Sequence, residues 1–173
     1  MTLITTISAQ PIALLCGDPA TSNTAGVGVA NTAYLVATDR LPVQVTLTGV
    51  RVRFGAGGTG HYDVGIYSDV NGVPTTLLAH SAATATSLVT ATGVQTPALI
   101  GGNLLLQAGR YWLALWVDNA TDTINRVTGA SNMTLVQSGT NAGPLPALAS
   151  SLTGLANTTL KPIIIGILLN GWT

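Results

Sequence analysis

The sequence contains few charged residues, no glutamate and a single cysteine. Charged side chains make up 7% of the 173 residues, against about a quarter in an average soluble protein, while hydrophobic residues make up 47%. Because solubility normally depends on interspersed surface charge, we expect much of the surface to be either covered by Thr, Ser and Asn or buried against other subunits. The composition favours the second of these, a protein that works within an assembly.

The low charge also argues against nucleic acid as a partner. Six basic residues balance six acidic ones, giving a net charge of +0, and no basic patch is evident. Arg51 and Arg53 alternate along one predicted strand face. We interpret this pair as a solvated or ion-paired face rather than a phosphate-binding stripe.

The lone cysteine, Cys16, excludes an internal disulfide and any multi-cysteine metal site. The surrounding letters IALLCG resemble a lipoprotein cleavage site, but a basic leader is missing and Leu15 replaces the small residue needed before the cysteine. We therefore expect no signal peptide and a buried thiol at Cys16. The longest apolar run, PIIIGILL at 162–169, is far shorter than the roughly 20 residues of a membrane span, so no membrane partner is expected.

Residues 61–78, HYDVGIYSDVNGVPTTLL, and 104–118, LLLQAGRYWLALWVD, show period-two alternation. Tyr62, Val64 and Ile66 share one face in the first segment, which predicts antiparallel strands rather than helices. In the second segment both faces are apolar, so a second layer must cover the strand on each side, supplied by an arm, a loop or another protein.

Strand signals recur at short spacing through the rest of the chain, separated by Gly, Pro or Asn. In 43–54 the alternation changes phase at Gly49, which predicts a bulge or bend. The spacing predicts an all-β, antiparallel two-sheet β-sandwich over residues 32–173, with a jelly roll as the expected topology. Residues 1–31 lack sustained periodicity and are predicted to be an extended N-terminal arm docked on a neighbouring subunit. The further strands are predicted at 33–38, 43–54, 76–81, 87–92, 123–127, 133–137 and 160–169, with a Gly/Pro/Ala/Ser-rich excursion at 138–157.

No residue set specifies an enzyme or a cofactor. His61 and Asp63 share a strand face with His80 nearby, but no metal motif is present, so we predict no metal. Neither histidine has an identifiable nucleophile partner, and no G-x-S-x-G sequence occurs. The chain is therefore predicted not to be an enzyme and to bind no cofactor.

Two acidic loops resemble parts of calcium sites without completing one. Asp69, Asn71 and Gly72 lack a closing acidic residue and predict a hairpin turn ending at Pro74. The loop of Asp118, Asn119 and Asp122 has the same deficiency. Neither loop predicts calcium.

Aromatic residues in the apolar strands offer two interpretations. Together with Tyr62 and Tyr111, the side chains of Trp112, Trp116 and Tyr67 could form a platform that stacks on sugar rings. Core packing is favoured because these residues lie inside apolar strands. Trp112, Trp116 and Tyr67 are nevertheless the candidate contacts for a glycan or a protein partner.

The segment VGIYSDVNGVPTTLL followed by LQAGRYWLALWVD resembles β-sandwich modules of tailed-bacteriophage virion proteins, including tail-fibre, baseplate and head-decoration components. The resemblance covers residues 50–118. It implies a structural or adhesive module in a virion, without enzymatic residues to carry over.

The leading hypothesis is a capsid decoration or cement protein in the virion of a tailed phage, assembled in the host cytoplasm. A homotrimer bound to the major capsid protein or other virion proteins is the simplest arrangement. The alternative is a tail-fibre or baseplate receptor-binding or adaptor module that binds host-surface glycan. A secreted bacterial carbohydrate-binding module is a third hypothesis, disfavoured by the missing leader.

Overall fold

A computed structural model describes residues 14–16, 24–56, 58, 60–81, 90–128, 134–137, 145, 147, 154–158 and 160–169. Every regular element within these ranges is a β-strand, and no helix there could cross a membrane. The strands are β1 (Leu14–Cys16), β2 (Thr24–Val27), β3 (Thr32–Ala37), β4 (Val45–Ala56), β5 (Tyr62–Val70), β6 (Val73–His80), β7 (Gly93–Gln95), β8 (Leu104–Leu106), β9 (Tyr111–Val117), β10 (Thr123–Thr128), β11 (Thr134–Gln137), β12 (Ala156–Asn157), β13 (Leu160–Pro162) and β14 (Ile164–Leu168).

The strands form two antiparallel sheets. The first sheet follows the order β1-β14-β4-β10-β13, with β2 paired to β10 and with β7 and β8 paired to β4. The second follows the order β12-β11-β3-β9-β5-β6. The predicted all-β, antiparallel two-sheet β-sandwich is confirmed.

The long strand β4 organises the first sheet. β14 pairs with β4 from Leu47 to Val52 along one edge. β8 pairs with β4 from Val45 to Leu47, and β7 pairs with it from Val52 to Phe54. Ile167 of β14 pairs with Gly49 of β4, and the next residue, Leu168, pairs with Leu47, so β4 contains one extra residue at this point. The predicted phase change at Gly49 is therefore confirmed as a β-bulge.

In the second sheet, β5 and β6 form a tight hairpin. Val70 pairs with Val73, leaving Asn71 and Gly72 as the turn, with φ of 55° and 81°. Positive φ at both central residues is the type I′ geometry, which matches the twist of a two-residue hairpin and which Asn-Gly adopts readily. The hairpin predicted from Asp69, Asn71 and Gly72 is confirmed, but its predicted end at Pro74 is wrong, because Pro74 already lies in β6 opposite Asp69.

The main core lies between the two sheets. The inward side chains of β4 meet those of β3, β5 and β9. Each fully buried side chain of this size contributes about 1.5–3 kcal/mol relative to exposure, so this layer supplies most of the stability. Its largest fully buried members are Phe54, Leu47, Ile66, Leu106, Leu113, Leu115 and Ile164.

A second apolar cluster lies on the outer face of the second sheet. Its side chains come from β3, β5 and β9, and Leu145 and Leu155 from the predicted excursion at 138–157 pack on them. All seven residues of β9 are consequently buried. The sequence prediction that this strand is covered on both sides is confirmed, and residues of the same chain supply the second layer.

Two described parts of the predicted N-terminal arm also belong to the first sheet. β1 pairs with β14, with Leu15 opposite Ile165, and β2 pairs with β10, with Gly26 opposite Ile124. In this molecule these stretches extend a sheet of their own chain. The predicted buried thiol of Cys16 concerns a side chain outside the described part of the structure.

Candidate interaction surface

The outer face of the first sheet differs from that of the second because it remains exposed. Along β4 the buried positions Val50, Val52 and Phe54 point into the core, and they alternate with Arg51 and Arg53, which are exposed. The sequence therefore dictates one apolar face and one face that carries two cations.

Strand register places Val94 and Ile165 beside the arginines and places two further exposed apolar residues, Leu105 and Leu169, beside Thr46 towards the other end of β4. Val94 lies directly opposite Arg53, and Leu105 lies directly opposite Thr46. Leu169 donates its backbone N–H to the Thr46 carbonyl at 2.9 Å. Directly paired residues point to the same side of a sheet. We call the resulting surface the open face, and its residues are Thr46, Arg51, Arg53, Val94, Leu105, Ile165 and Leu169.

The apolar members of the open face are well exposed for their type. The exposed fractions are 55% for Val94, 56% for Leu105 and 57% for Leu169. Ile165, opposite Arg51, is half-buried. Single exposed apolar side chains are ordinary, but a group brought together by register indicates an interaction surface.

The arginines of the open face have no acidic partner within the described residues. Arg51 donates from Nε to Thr96 Oγ1 at 3.3 Å, and the ion pairs found there involve histidines. Asp39 is the one exposed aspartate among the five that the structure describes. The open face is therefore locally positive, although the net charge of the whole sequence is +0.

Asp63 is fully buried. It lies on the opposite side of the molecule from the open face, on the outer face of the second sheet. Its Oδ1 accepts from the backbone N–H and the hydroxyl of Ser81, at 3.0 and 2.9 Å. Its Oδ2 lies 3.1 Å from His80 Nδ1 and accepts the Leu145 N–H at 3.0 Å. Asp63 thus ties the covering residue Leu145 to the second sheet.

Gly65, two residues further along β5, makes room for the same covering residue. A Cβ at this position would lie 2.8 Å from Leu145 Cδ1 and 2.9 Å from the Ala79 carbonyl. Both distances are shorter than side chains tolerate, so glycine allows Leu145 to approach the sheet. The Leu77 N–H also donates to the Ala147 carbonyl at 2.7 Å, which fixes the covering residues to the edge strand β6.

A second polar group lies where strand β9 ends. His61 Nδ1 lies 2.6 Å from Asp118 Oδ2, and the His61 N–H donates to Asp118 Oδ1 at 2.7 Å. Nearby, Asn119 Oδ1 accepts the backbone N–H of Thr121 and of Asp122, at 3.2 and 3.1 Å. The Asn119 amide oxygen therefore holds the predicted acidic loop itself, while the Asp118 carboxylate ties the start of the loop to His61.

Asp122 completes this end of the sandwich from a buried position. Its carboxylate accepts a hydrogen bond from the Thr90 hydroxyl. The Thr90 hydroxyl and the Thr90 N–H also contact the Gly60 carbonyl, at 3.1 and 2.8 Å. A Cβ on Gly60 would overlap the side chains of Asp122 and Asn119. The close packing explains why glycine stands at position 60.

The two histidines belong to separate pairs. The register brings His80 beside Asp63, while His61 contacts Asp118. Within the part of the chain that the structure describes, no three His, Cys, Asp or Glu side chains come together as a metal-binding group.

The candidate glycan contacts are not at the surface. Trp112 is 2% exposed, and Trp116 and Tyr67 are 0% exposed. Trp112 donates from Nε1 to Asp69 Oδ1 at 2.7 Å, and Asp69 Oδ2 accepts the Gly72 N–H at 3.2 Å, so this indole braces the hairpin. The favoured interpretation, core packing, is confirmed, and the alternative of a glycan or partner contact at these three residues is corrected, because the outer cluster of the second sheet encloses their rings.

The environment of Tyr67 agrees with its enclosure. Burial raises the pKa of the Tyr67 phenol well above the ordinary value of 10.0, and the nearby Asp63 charge raises it further. Because the folded chain resists ionisation of this phenol, the stability of the fold is expected to fall as the pH rises above 10.0. Tyr67 is therefore a structural residue.

Sequence reasoning identified Arg51 and Arg53 as neighbours on one face but missed the open face as a whole. The apolar residues beside them come from β7, β8 and the end of β14, which are distant in sequence. Only the pairing register brings these positions together. The available sequence signal was the alternation of arginine with Val50, Val52 and Phe54.

The sequence matches no protein-family model, and no curated protein matches it. Solved structures do share its fold. One is the clostridial cysteine protease Cwp84 after propeptide cleavage, with a TM-score of 0.56 and 14% identity over 95% of this chain and 41% of that chain. Another holds the cysteine protease and lectin-like domains of Cwp84, a surface layer associated protein of Clostridium difficile, with a TM-score of 0.50 and 16% identity over 82% of this chain. This chain spans less than half the length of either structure, and the similarity concerns the fold.

Proposed function

We propose that this chain is a non-catalytic structural protein of a tailed-phage virion, a decoration protein that stabilises the capsid shell through subunit contacts. The contrast between the two outer sheet faces carries the proposal. Residues of the chain itself cover the second sheet, whereas the open face presents Val94, Leu105 and Leu169 to solvent. A face of this kind suits burial against a neighbouring protein.

The scarcity of charge supports the same role. With 7% charged residues, the chain is suited to a crowded assembly in which much of its surface is in contact with other proteins. The resemblance of residues 50–118 to virion β-sandwich modules gives the setting. A homotrimer seated at a three-fold position of the shell, with the open faces towards the major capsid protein, is the simplest symmetric arrangement.

A second candidate function is a tail-fibre or baseplate module that binds host-surface glycan. Two observations favour it: the half-exposed His61 and Asp118 lie in a polar loop region at one end of the sandwich, and one structure of similar fold includes a lectin-like domain. Polar loops at the end of a sandwich are a common place for ligands. Without Trp112, Trp116 and Tyr67, sugar recognition would depend on hydrogen bonds from these loops.

Counting copies of the chain in purified virions distinguishes the two functions. Quantitative mass spectrometry against the major capsid protein is expected to find hundreds of copies per particle, because a shell offers many equivalent positions. A few copies to a few tens would overturn the decoration proposal and favour the tail. Absence from the particle would overturn both virion roles.

A further inference from the structure

We propose that the open face binds a partner protein surface that presents carboxylates among apolar side chains, with Arg51 and Arg53 as the recognition residues. This inference deepens the proposed function and depends on it only for the identity of the partner. It follows from the charge of the open face, from the register that forms it, and from its lack of complementarity to a second copy of itself.

The charge of the open face selects an acidic partner. Arg51 and Arg53 are exposed, and no acidic residue of the described chain pairs with either. The guanidinium group binds carboxylates through two parallel N–H···O bonds. The spacing of two residues along one strand face places the side chains side by side, so they suit a pair of carboxylates.

The apolar residues select a protein over a simple polyanion. Val94 lies opposite Arg53, and Leu105 lies opposite Thr46 in the same sheet. A phosphate or sulfate polymer would leave these side chains against water, whereas a protein surface can bury them. Burial of apolar area contributes about 25 cal/mol per Å². A partner with apolar groups between its carboxylates therefore gains free energy both from contacts with the arginines and from apolar burial.

The open face does not suit a two-fold contact with a second copy of the chain. In a two-fold contact the same patch meets itself, so the arginines of one copy would approach those of the other. The one exposed aspartate among the described residues, Asp39, adjoins Arg40 and lies off the open face. Like charges brought together in an interface cost free energy, which leaves a different, acidic protein as the occupant.

Binding to synthetic polypeptides tests the inference without a virion. The probes are immobilised poly-L-glutamate and the random copolymer poly(Glu,Tyr), compared at several salt concentrations with heparin and duplex DNA. The wild-type chain is expected to prefer poly(Glu,Tyr) over all three. R51Q/R53Q should bind that copolymer at least about tenfold more weakly than the wild type, and its binding should depend less on salt. L105S should lose the preference for poly(Glu,Tyr) over poly-L-glutamate.

The matched control is R40Q/R110Q, which removes the same charge from two exposed arginines outside the open face. It is expected to retain the binding of the wild type. Each protein is checked by near-ultraviolet circular dichroism, and the single variant R53Q, expected to show part of the loss, replaces the double variant if the latter does not fold.

Three results would overturn the inference. Equal losses in R51Q/R53Q and R40Q/R110Q would show an unspecific charge effect, and tighter binding of heparin or DNA through Arg51 and Arg53 would indicate a polyanion site. Self-association that sedimentation velocity finds in the wild type but not in R51Q/R53Q would make a second copy the occupant. None of these results changes the copy number in virions, so failure here and failure of the proposed function are distinguishable.

Discussion

Replacing Trp116 with alanine is expected to lower the free energy of unfolding by about 3–5 kcal/mol. Its side chain is 0% exposed and lies in the outer cluster of the second sheet with Trp112 and Leu35. Truncation removes the buried ring and leaves a cavity that the paired strands β3 and β9 cannot close, because their register is fixed by hydrogen bonds. Denaturant unfolding followed by far-ultraviolet circular dichroism measures the change.

The matched control for this substitution is Leu105→Ala, which truncates a side chain that is 56% exposed. Its effect on the isolated chain is expected to stay within about 0.5 kcal/mol. An aromatic glycan platform predicts the opposite pattern at Trp116, with stability retained and sugar binding lost. A Trp116→Ala protein as stable as the wild type would therefore contradict the packing described for the second sheet.

Asp63→Ala is expected to destabilise the chain by about 3 kcal/mol, since it removes a buried carboxylate from its donors. The donors left behind include the backbone N–H groups of Ser81 and Leu145. Because the Leu145 N–H belongs to the covering layer, its amide is also expected to exchange with solvent faster. Denaturant unfolding measures the free energy, and hydrogen exchange measures the local opening.

Asp39→Ala is the control for Asp63→Ala, because Asp39 is exposed and the same charge is removed. We expect its effect to be within about 0.5 kcal/mol. Asp63→Asn separates charge from shape, and its loss should be intermediate because one amide oxygen still accepts hydrogen bonds. Equal stability of the two alanine variants would show that Asp63 does not hold the covering layer.

The fold class and the central strands could be predicted because alternation records which face of a strand is buried. The strand predicted at 87–92 is wrong for its described residues 90–92, since β7 lies at Gly93–Gln95. Val50, Val52 and Phe54 against Arg51 and Arg53 give the inner and outer faces of β4 directly. The change of phase at Gly49 indicated the bulge for the same reason. Asn71 and Gly72 identified the hairpin because both residues tolerate positive φ.

The candidate interaction surface could not be predicted because it depends on register between distant segments. Nothing in the local sequence shows that Val94 meets Arg53 or that Leu105 meets Thr46. The sequence favoured burial of the tryptophans, but an apolar strand does not reveal whether its second layer is its own chain or a partner. Here Leu145, about thirty residues beyond β9, supplies that layer.

The most direct test of the account is hydroxyl-radical footprinting of the free chain and of the chain on purified virions. The open face as the contact predicts reduced oxidation at Val94, Leu105 and Leu169 on the particle. Val70 and Val73, which are 53% and 49% exposed at the β5–β6 hairpin, serve as internal references and should be oxidised equally in both samples. Protection of that hairpin with the open face unchanged, or a particle that lacks the chain, would contradict the account.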